Sequence, residues 1–311
     1  MSVSRVRALV DPNRPWMALV EVEREEVVLG AFQRAASALD LGEATARGLT
    51  VTRRISGGPA VLAGPGTLHL VVALPSPSAL VPCDASRLVN RHVRPLLRAL
   101  ASVGASAHFF GRDWISVAHR PASWVGFAHH AATGACIFEA FVAVSHAFAL
   151  PRALDGYPER AADPFLGKAP AILSTRLEST REAILRAYDA AYGGGLALPS
   201  HLEGDLRPLA NDVRPPWEML VEEAIGFVGA GLSPTGTVEI GGDLMASDDL
   251  PEALGAALAS LRQSPSEVRV TQAVERVFAG GPFVMDGVGD RASLVRVALS
   301  ALTGGRTPPS R

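Results

Sequence analysis

The stretch Arg53-Arg54-Ile55-Ser56-Gly57-Gly58-Pro59-Ala60-Val61 constrains this chain most. Two arginines run into a Ser-Gly-Gly turn. A second turn, Gly64-Pro65-Gly66, follows, and then an apolar run from Leu68 to Leu74. The pattern reads as strand, glycine loop, strand. Glycine lets backbone amides approach a bound anion closely, and two neighbouring arginines add charge. A tight hairpin with solvated arginines satisfies the same pattern. The loop alone does not separate these two readings.

With 311 residues, the chain is long enough for two domains and a sizeable core. Charged residues make up 19% and the formal net charge is -2, so there is no basic excess of the kind nucleic-acid binders show. Lys168 is the single lysine, which gives lysine chemistry one address. Two cysteines, Cys83 and Cys136, do not make a secreted disulfide framework. No apolar run approaches the roughly 20 residues needed to span a bilayer, and Met1 to Asp11 lacks a signal-peptide core, so the expected compartment is the cytoplasm.

Alternation predicts strands over 16–23 and 27–30, joined by a charged turn at 24–26. Residues 31–39 read as short helix or irregular chain. Further strands are expected at 49–53, 68–74, 107–110, 114–118, 124–128 and 135–144. A helix with Asp84 or Ser86 as its cap should run to Gly104, and another should fill 177–192 before Gly193-Gly194-Gly195. The proline-rich stretch 199–216 reads as a linker. Beyond it the pattern predicts a short helix at 217–224, strands at 225–230 and 236–240, and helices at 251–261, 267–278 and 292–302. The last residues, from Gly304, read as a disordered tail.

Four ordered segments resemble the lipoate-protein ligase family. Leu29-Gly30-Ala31-Phe32-Gln33 is similar to its L-G-x-x-Q strand end, and the loop at 53–61 to its R-R-x-[ST]-G-G-G-A-V segment. Gly111-Arg112-Asp113-Trp114-Ile115-Ser116-Val117 resembles G-R-N-D-[IL]-x-V, and Ser123-Trp124-Val125-Gly126-Phe127-Ala128 resembles K-[IL]-[SA]-G-x-A. Gly236 to Leu244 is similar to the strand and G-D-F turn of the family's accessory domain. The resemblance implies an α+β fold: a mixed β-sheet core flanked by helices over 1–215, a small α/β accessory domain over 216–303, and a tail over 304–311. It implies ligand-binding positions at Arg53, Arg54, Ser56, Gly57, Gly58, His69, Asp113, Ser123, Trp124 and Gly126.

Such enzymes activate a carboxylic acid with ATP and pass the acyl-adenylate to a lysine on a carrier domain. That chemistry needs preorganised positive charge in a dry site. Here the motif lysine is Ser123, the third loop glycine is Pro59, the usual histidine after A-V-x is Ala63, and the asparagine near Gly66 is His69. The H-G segment of the next strand is Ile137-Phe138-Glu139-Ala140, and Glu139 puts negative charge where a phosphate should approach. Lost cation, lost amide and lost histidines together argue against adenylation. The expectation is a non-catalytic binding protein that recognises a peptide or protein segment and presents it to a modifying enzyme. It has no catalytic residues, no metal and no cofactor, no nucleic-acid or membrane partner, and no assigned oligomeric state. An atypical lipoate or octanoate ligase or acyltransferase is the alternative, and ATP and lipoate belong to that reading alone. A structural subunit of an active paralogue is the second alternative.

Single residues carry weaker expectations. His129 and His130, adjacent on a strand, should point to opposite faces and so make a poor metal pair. Cys136 should be core, and Cys83, before a helix start, sits where a thiolate is sometimes stabilised. Trp124, beside the lost lysine position, either packs in the core or walls a reshaped pocket.

Overall fold

The computed structural model describes residues 4–111, 113–160, 170–198 and 214–304. A short helix, α1 (Arg5–Leu9), precedes strands β1 (Trp16–Glu21) and β2 (Glu26–Leu29). Two small helices, α2 (Ala35–Ala38) and α3 (Leu41–Ala46), lead to β3 (Thr50–Arg53), and the glycine loop joins β3 to β4 (Val61–Ala63). Then come β5 (Thr67–Leu74), α4 (Leu88–Ser102), β6 (Ala107–Phe109), β7 (Trp114–Val117), β8 (Arg120–His129) and β9 (Cys136–Ala143). Helix α5 (Leu177–Tyr192) closes this part of the chain.

Strand β5 carries apolar residues on both faces, and all eight of its residues are buried. It therefore sits inside a six-stranded sheet of order β1-β5-β9-β8-β7-β6. Every pairing in that sheet is antiparallel. One face, with Leu68, Leu70, Val125, Phe127 and Phe138, packs on α4 through Leu96 and Leu100 and on α5 through Ile184 and Tyr188. Helix α4 presents those residues because apolar side chains recur along it at helical spacing, from Leu88 and Val89 to Leu100. The opposite face carries Val71 and Ile137, covered by Val6 and Val10 of the α1 segment and by Ile55. Beside them it carries Trp124, Phe141 and the polar pair His69 and Glu139. This second face positions the site.

Residues 219–303 form a further layer: β10 (Met219–Glu222), β11 (Phe227–Leu232), β12 (Val238–Gly242), β13 (Met245–Ala246), α6 (Leu250–Ala259), α7 (Glu267–Gly280), β14 (Met285–Asp286) and α8 (Ala292–Thr303). Its own core joins Val228, Ile240, Leu254, Leu258, Val274 and Leu294. The α+β class and its helix-flanked sheet agree with the sequence reading.

Some expectations need correction. β1 and β2 are not a hairpin: β1 pairs with β5, while β2 pairs parallel with β3 and antiparallel with β4 in a separate small sheet. The mixed pairing thus lies in that small sheet. Long-range pairing overrode the local turn signal. Residues 217–224 hold strand β10 rather than a helix, because Met219–Glu222 complete the edge of β11. Neither Asp84 nor Ser86 caps α4, which starts from a single 3-10 turn at Ala85–Arg87. Helix α5 spans the predicted residues and ends on Gly193, whose positive φ of 60° suits glycine. The linker expected at 199–216 falls mostly, and the tail from 305 entirely, outside the described residues, as does Lys168.

Candidate functional site

The glycine loop lies inside the protein. Arg53 ends β3 with 4% of its surface exposed and Arg54 with none, so neither arginine is solvated. A buried guanidinium must spend its donors. Arg54 donates to the carbonyls of Gly57 at 2.7 Å, Pro59 at 2.7 Å and Val28 at 3.0 Å. Its plane lies 3.9 Å from the Trp124 ring centroid. Burial lowers its pKa to about 10, against the pull of Glu139, Asp243 and Asp113, so it stays charged. Arg53 donates to the carbonyls of Gly30 at 2.8 Å and Gln33 at 2.6 Å. The two arginines brace the loop from within.

Glycine is needed at specific points. A Cβ on Gly30 would fall 2.0 Å from the Gly58 carbonyl oxygen, and Gly58 itself has φ +90°. A Cβ on Gly57 would fall 1.8 Å from the carbonyl oxygen of Leu244. The Gly58 amide donates to that same Leu244 oxygen at 2.8 Å. The turn after β12 therefore closes over the loop and takes one of its amides.

A second amide goes to a side chain. The Ser56 N–H donates to Glu139 Oε2 at 3.2 Å, and the Ser56 hydroxyl donates to the same oxygen. The other carboxylate oxygen lies 2.7 Å from His69 Nε2, and the His69 ring stacks on Phe141 with centroids 4.4 Å apart. Glu139 and His69 are essentially unexposed. Burial works to raise the Glu139 pKa. The bond to His69, its charge, the charge of Arg54 and the Ser56 hydroxyl overcome this and hold it below the ordinary value. The loop thus cradles an anion, and that anion is a carboxylate of the protein itself.

The remaining predicted positions are buried around this centre. Trp124 is 1% exposed and lies across Gly126, where a Cβ would fall 2.4 Å from its ring. It packs with Val28, Val61, Ala63 and Phe141 as core. Ser123 is fully buried, and its hydroxyl accepts from the Ala143 amide at 3.2 Å, extending the β8–β9 ladder. The Asp113 carbonyl accepts from the Val125 amide at 2.8 Å, and its side chain is 5% exposed. Arg54, Ser56, Gly58, His69 and Trp124 therefore meet in one cluster. Asp113, just before β7, is near enough for Arg54 to feel its charge, and Arg53 braces the loop from the Gln33 side. Ser123 does not join them: it pairs with Ile115 and Val142 of the helix-facing core, on the other face of β8 from Trp124.

A latch beside the loop went unread in the sequence. Gln33 Oε1 accepts from the Gly30 amide at 2.7 Å, and Gln33 Nε2 donates to Asp243 Oδ1 at 2.6 Å. Asp243 Oδ2 accepts from the Phe227 amide at 2.8 Å. Burial raises the Asp243 carboxyl to about 7, against the lowering effect of the Phe227 and Gln33 hydrogen bonds. Both motifs were visible, L-G-x-x-Q and G-G-D, but nothing local says that they touch across 210 residues.

Residues 6–150 match the model of the lipoyl protein ligase A/B catalytic domain. That stretch carries a domain of the lipoate-protein ligase type. The fold of the chain is similar to a bipartite lipoate protein ligase from Thermoplasma acidophilum, described with its E2 lipoyl domain (TM-score 0.53, 17% identity, 65% of this chain and 80% of that one). It is also similar to P. falciparum LipL1 in complex with lipoate (TM-score 0.57, 12% identity, 85% and 87%) and to lipoate-protein ligase A bound with ATP (TM-score 0.51, 16% identity, 65% and 82%). At these identities the likeness is one of fold. Curated protein sequences give no significant match.

Within this ligase-family domain, the position of the motif lysine carries a hydroxyl bonded to β9, and the loop's anion position carries Glu139. Burial pushes up both the Cys83 thiol and the Cys136 thiol, away from the thiolate, and Cys136 is core. The two histidines do separate. His129 Nδ1 lies 3.0 Å from the Ser247 hydroxyl, while His130 Nδ1 lies 3.0 Å from Asp248 and 3.3 Å from Asp249. That trio is close enough to hold a cation. Its carboxylates already accept from Ser4, from Val6 and from the amides of Ala131 and Ala132, so it reads as the joint between α1, the turn after β8 and α6. Next to it lies a groove of about 1400 Å³, bordered by α1, Arg53, Trp217, β12 and α6. Among the described residues, no helix is long and apolar enough to cross a membrane.

Proposed function

We propose that this chain, with its domain of the lipoate-protein ligase type, forms no acyl-adenylate and acts as a binding protein that recognises a peptide or protein segment, presenting it to a separate modifying enzyme. The observation that carries this reading is the Glu139 carboxylate held by the Ser56 amide and hydroxyl. A phosphate or acyl carboxylate entering there meets a buried negative charge at contact distance, and repulsion between unscreened charges is severe in a dry site. Ser123 offers no cation to offset it. Arg54, whose charge Glu139 feels, already stacks on Trp124 and bonds three carbonyls.

A protein partner is supported by the family: the T. acidophilum ligase is described together with the lipoyl domain of an E2 protein. With the activation centre filled, the retained asset is the surface that meets such a partner. A soluble cytoplasmic setting is part of this proposal. Pyrophosphate exchange with ATP and lipoate or octanoate, followed by transfer to a carrier domain, tests it. Background-level exchange together with saturable binding of a peptide in calorimetry is the expected result. Acyl-AMP or acylated carrier above background overturns it in favour of an atypical ligase.

A further inference from the structure

We propose that the groove between α1 and the α6–β12 layer seats an acidic peptide segment, with its carboxylates against Arg5, Arg7 and Arg214 and its apolar side chains on the floor made by Phe32 and Trp217. The inference rests on the peptide-recognition reading above and gives it a place. The groove's volume, about 1400 Å³, accommodates several residues of extended chain.

The charge balance of the lining decides the sign of the occupant. Four acids border the groove, and three are already engaged. Glu239 is bonded to Arg34 at 2.7 Å and lies 3.8 Å from Arg214. Asp248 accepts from Ser4 and lies against His130, and Asp249 accepts from two backbone amides and lies against the same histidine. Glu252 on α6 is the exception. The arginines of α1 differ. Both are exposed, and neither Arg5 nor Arg7 has a carboxylate partner among the described residues. Arg5 also feels Arg214: burial first, and then that like charge, lowers its pKa. Like charges facing across one groove repel, and a carboxylate set between them relieves the repulsion. The aromatic floor is stiffened by Arg34, whose guanidinium lies 3.8 Å from the Trp217 ring centroid.

Two labelled peptides of equal length test this, one alternating Glu with Leu and Phe, the other with Lys in place of Glu. Fluorescence anisotropy is measured on the full chain and on the Arg5→Glu and Arg7→Glu variants. Both arginines are solvent-facing on α1, so folding is retained, and circular dichroism checks it. The expected result is binding of the acidic peptide only, weakened about tenfold or more by either reversal and by rising salt. Equal binding of both peptides, or acidic-peptide binding indifferent to the reversals, overturns the groove assignment while leaving peptide recognition intact. Binding of neither peptide also overturns it. Pyrophosphate exchange, run separately, decides the parent reading on its own terms.

Discussion

Glu139 and Ser56 are bound twice over: one carboxylate oxygen accepts from both the amide and the hydroxyl of the serine. Because His69 holds the other oxygen at 2.7 Å, the carboxylate is fixed from both sides and fully buried. Its pKa is depressed in the folded protein. Its stabilisation is therefore full above the unfolded value near 4.5 and is lost as pH falls through the lower folded value. Glu139→Ala strands His69, Ser56 and Arg54 in a dry site and should cost about 3–5 kcal/mol. Glu139→Gln keeps the shape and should cost less, with a shallower acid limb. Urea midpoints measured from neutral pH down to acid check both.

Ser123→Lys alone should not create a ligase. The Ser123 hydroxyl is unexposed and bonded to Ala143, so an ammonium there enters a dry strand interior and should destabilise the fold by a few kcal/mol. Glu139 would still occupy the loop. Pyrophosphate exchange should stay at background in Ser123→Lys. Exchange rising well above background in the single variant would show that the missing lysine was the only obstacle.

The sequence made the glycine loop, the order of the family motifs and the long elements readable. Each is written locally: the apolar run 68–74, helical spacing in 177–192, and glycines at positive φ such as Gly58 and Gly66. It also flagged Glu139 as a charge in the wrong place for a phosphate. It did not show what the loop's donors do instead. The arginine pair looks the same in sequence whether it faces solvent or six backbone carbonyls: those of Gly30, Ala31 and Gln33 for Arg53, and those of Val28, Gly57 and Pro59 for Arg54. Which partner wins is set by packing against β9 and the Leu244 turn, contacts between distant parts of the chain. The same holds for Met219–Glu222, whose strand state depends on β11 as a neighbour.

Asp243 should give the opposite pH response to Glu139. Its folded pKa, about 7, lies above the ordinary 3.8. The folded state thus holds the proton more tightly, and stability falls as pH rises between those values. From pH 5 to pH 8 the loss attributable to this group is about 2–3 kcal/mol. Asp243→Asn removes the ionisation while keeping an acceptor for Gln33 or Phe227. Its midpoint difference between pH 5 and pH 8 should shrink accordingly. A wild-type difference that persists in the variant would place the titration elsewhere.

Gly126 and Gly280 form a contrasting pair. A methyl at Gly126 must displace the Trp124 ring, itself clamped by Arg54 and Phe141, so Gly126→Ala should cost about 1–3 kcal/mol. At Gly280, in the last turn of α7, nothing lies within 4 Å of the added carbon. Gly280→Ala should be neutral or stabilise by up to about 1 kcal/mol. Thermal midpoints of the two variants should move in different directions or by clearly different amounts.

Gly57→Ala tests whether the Leu244 turn is held by the loop. The new carbon would fall 1.8 Å from the Leu244 carbonyl oxygen and 3.0 Å from the Met245 Cα, both backbone atoms that cannot rotate away. The loop or the turn must move, and with it goes the bond from the Gly58 amide to the same oxygen. The turn also carries Asp243, so the Gln33 bond is strained in the same step. Helices α6 to α8 keep their own core, built from Leu254, Leu258, Val274 and Leu294, and should stay folded. The expected result is therefore local: faster amide exchange at Gly58 and Phe227, with the protection of α7 and α8 unchanged. Gly48→Ala is the control for strain at a loop glycine away from the Leu244 turn: its φ of +67° strains the alanine, but nothing lies within 4 Å of the added carbon. If exchange at Phe227 is the same in both variants, the loop and the Leu244 turn are not mechanically linked.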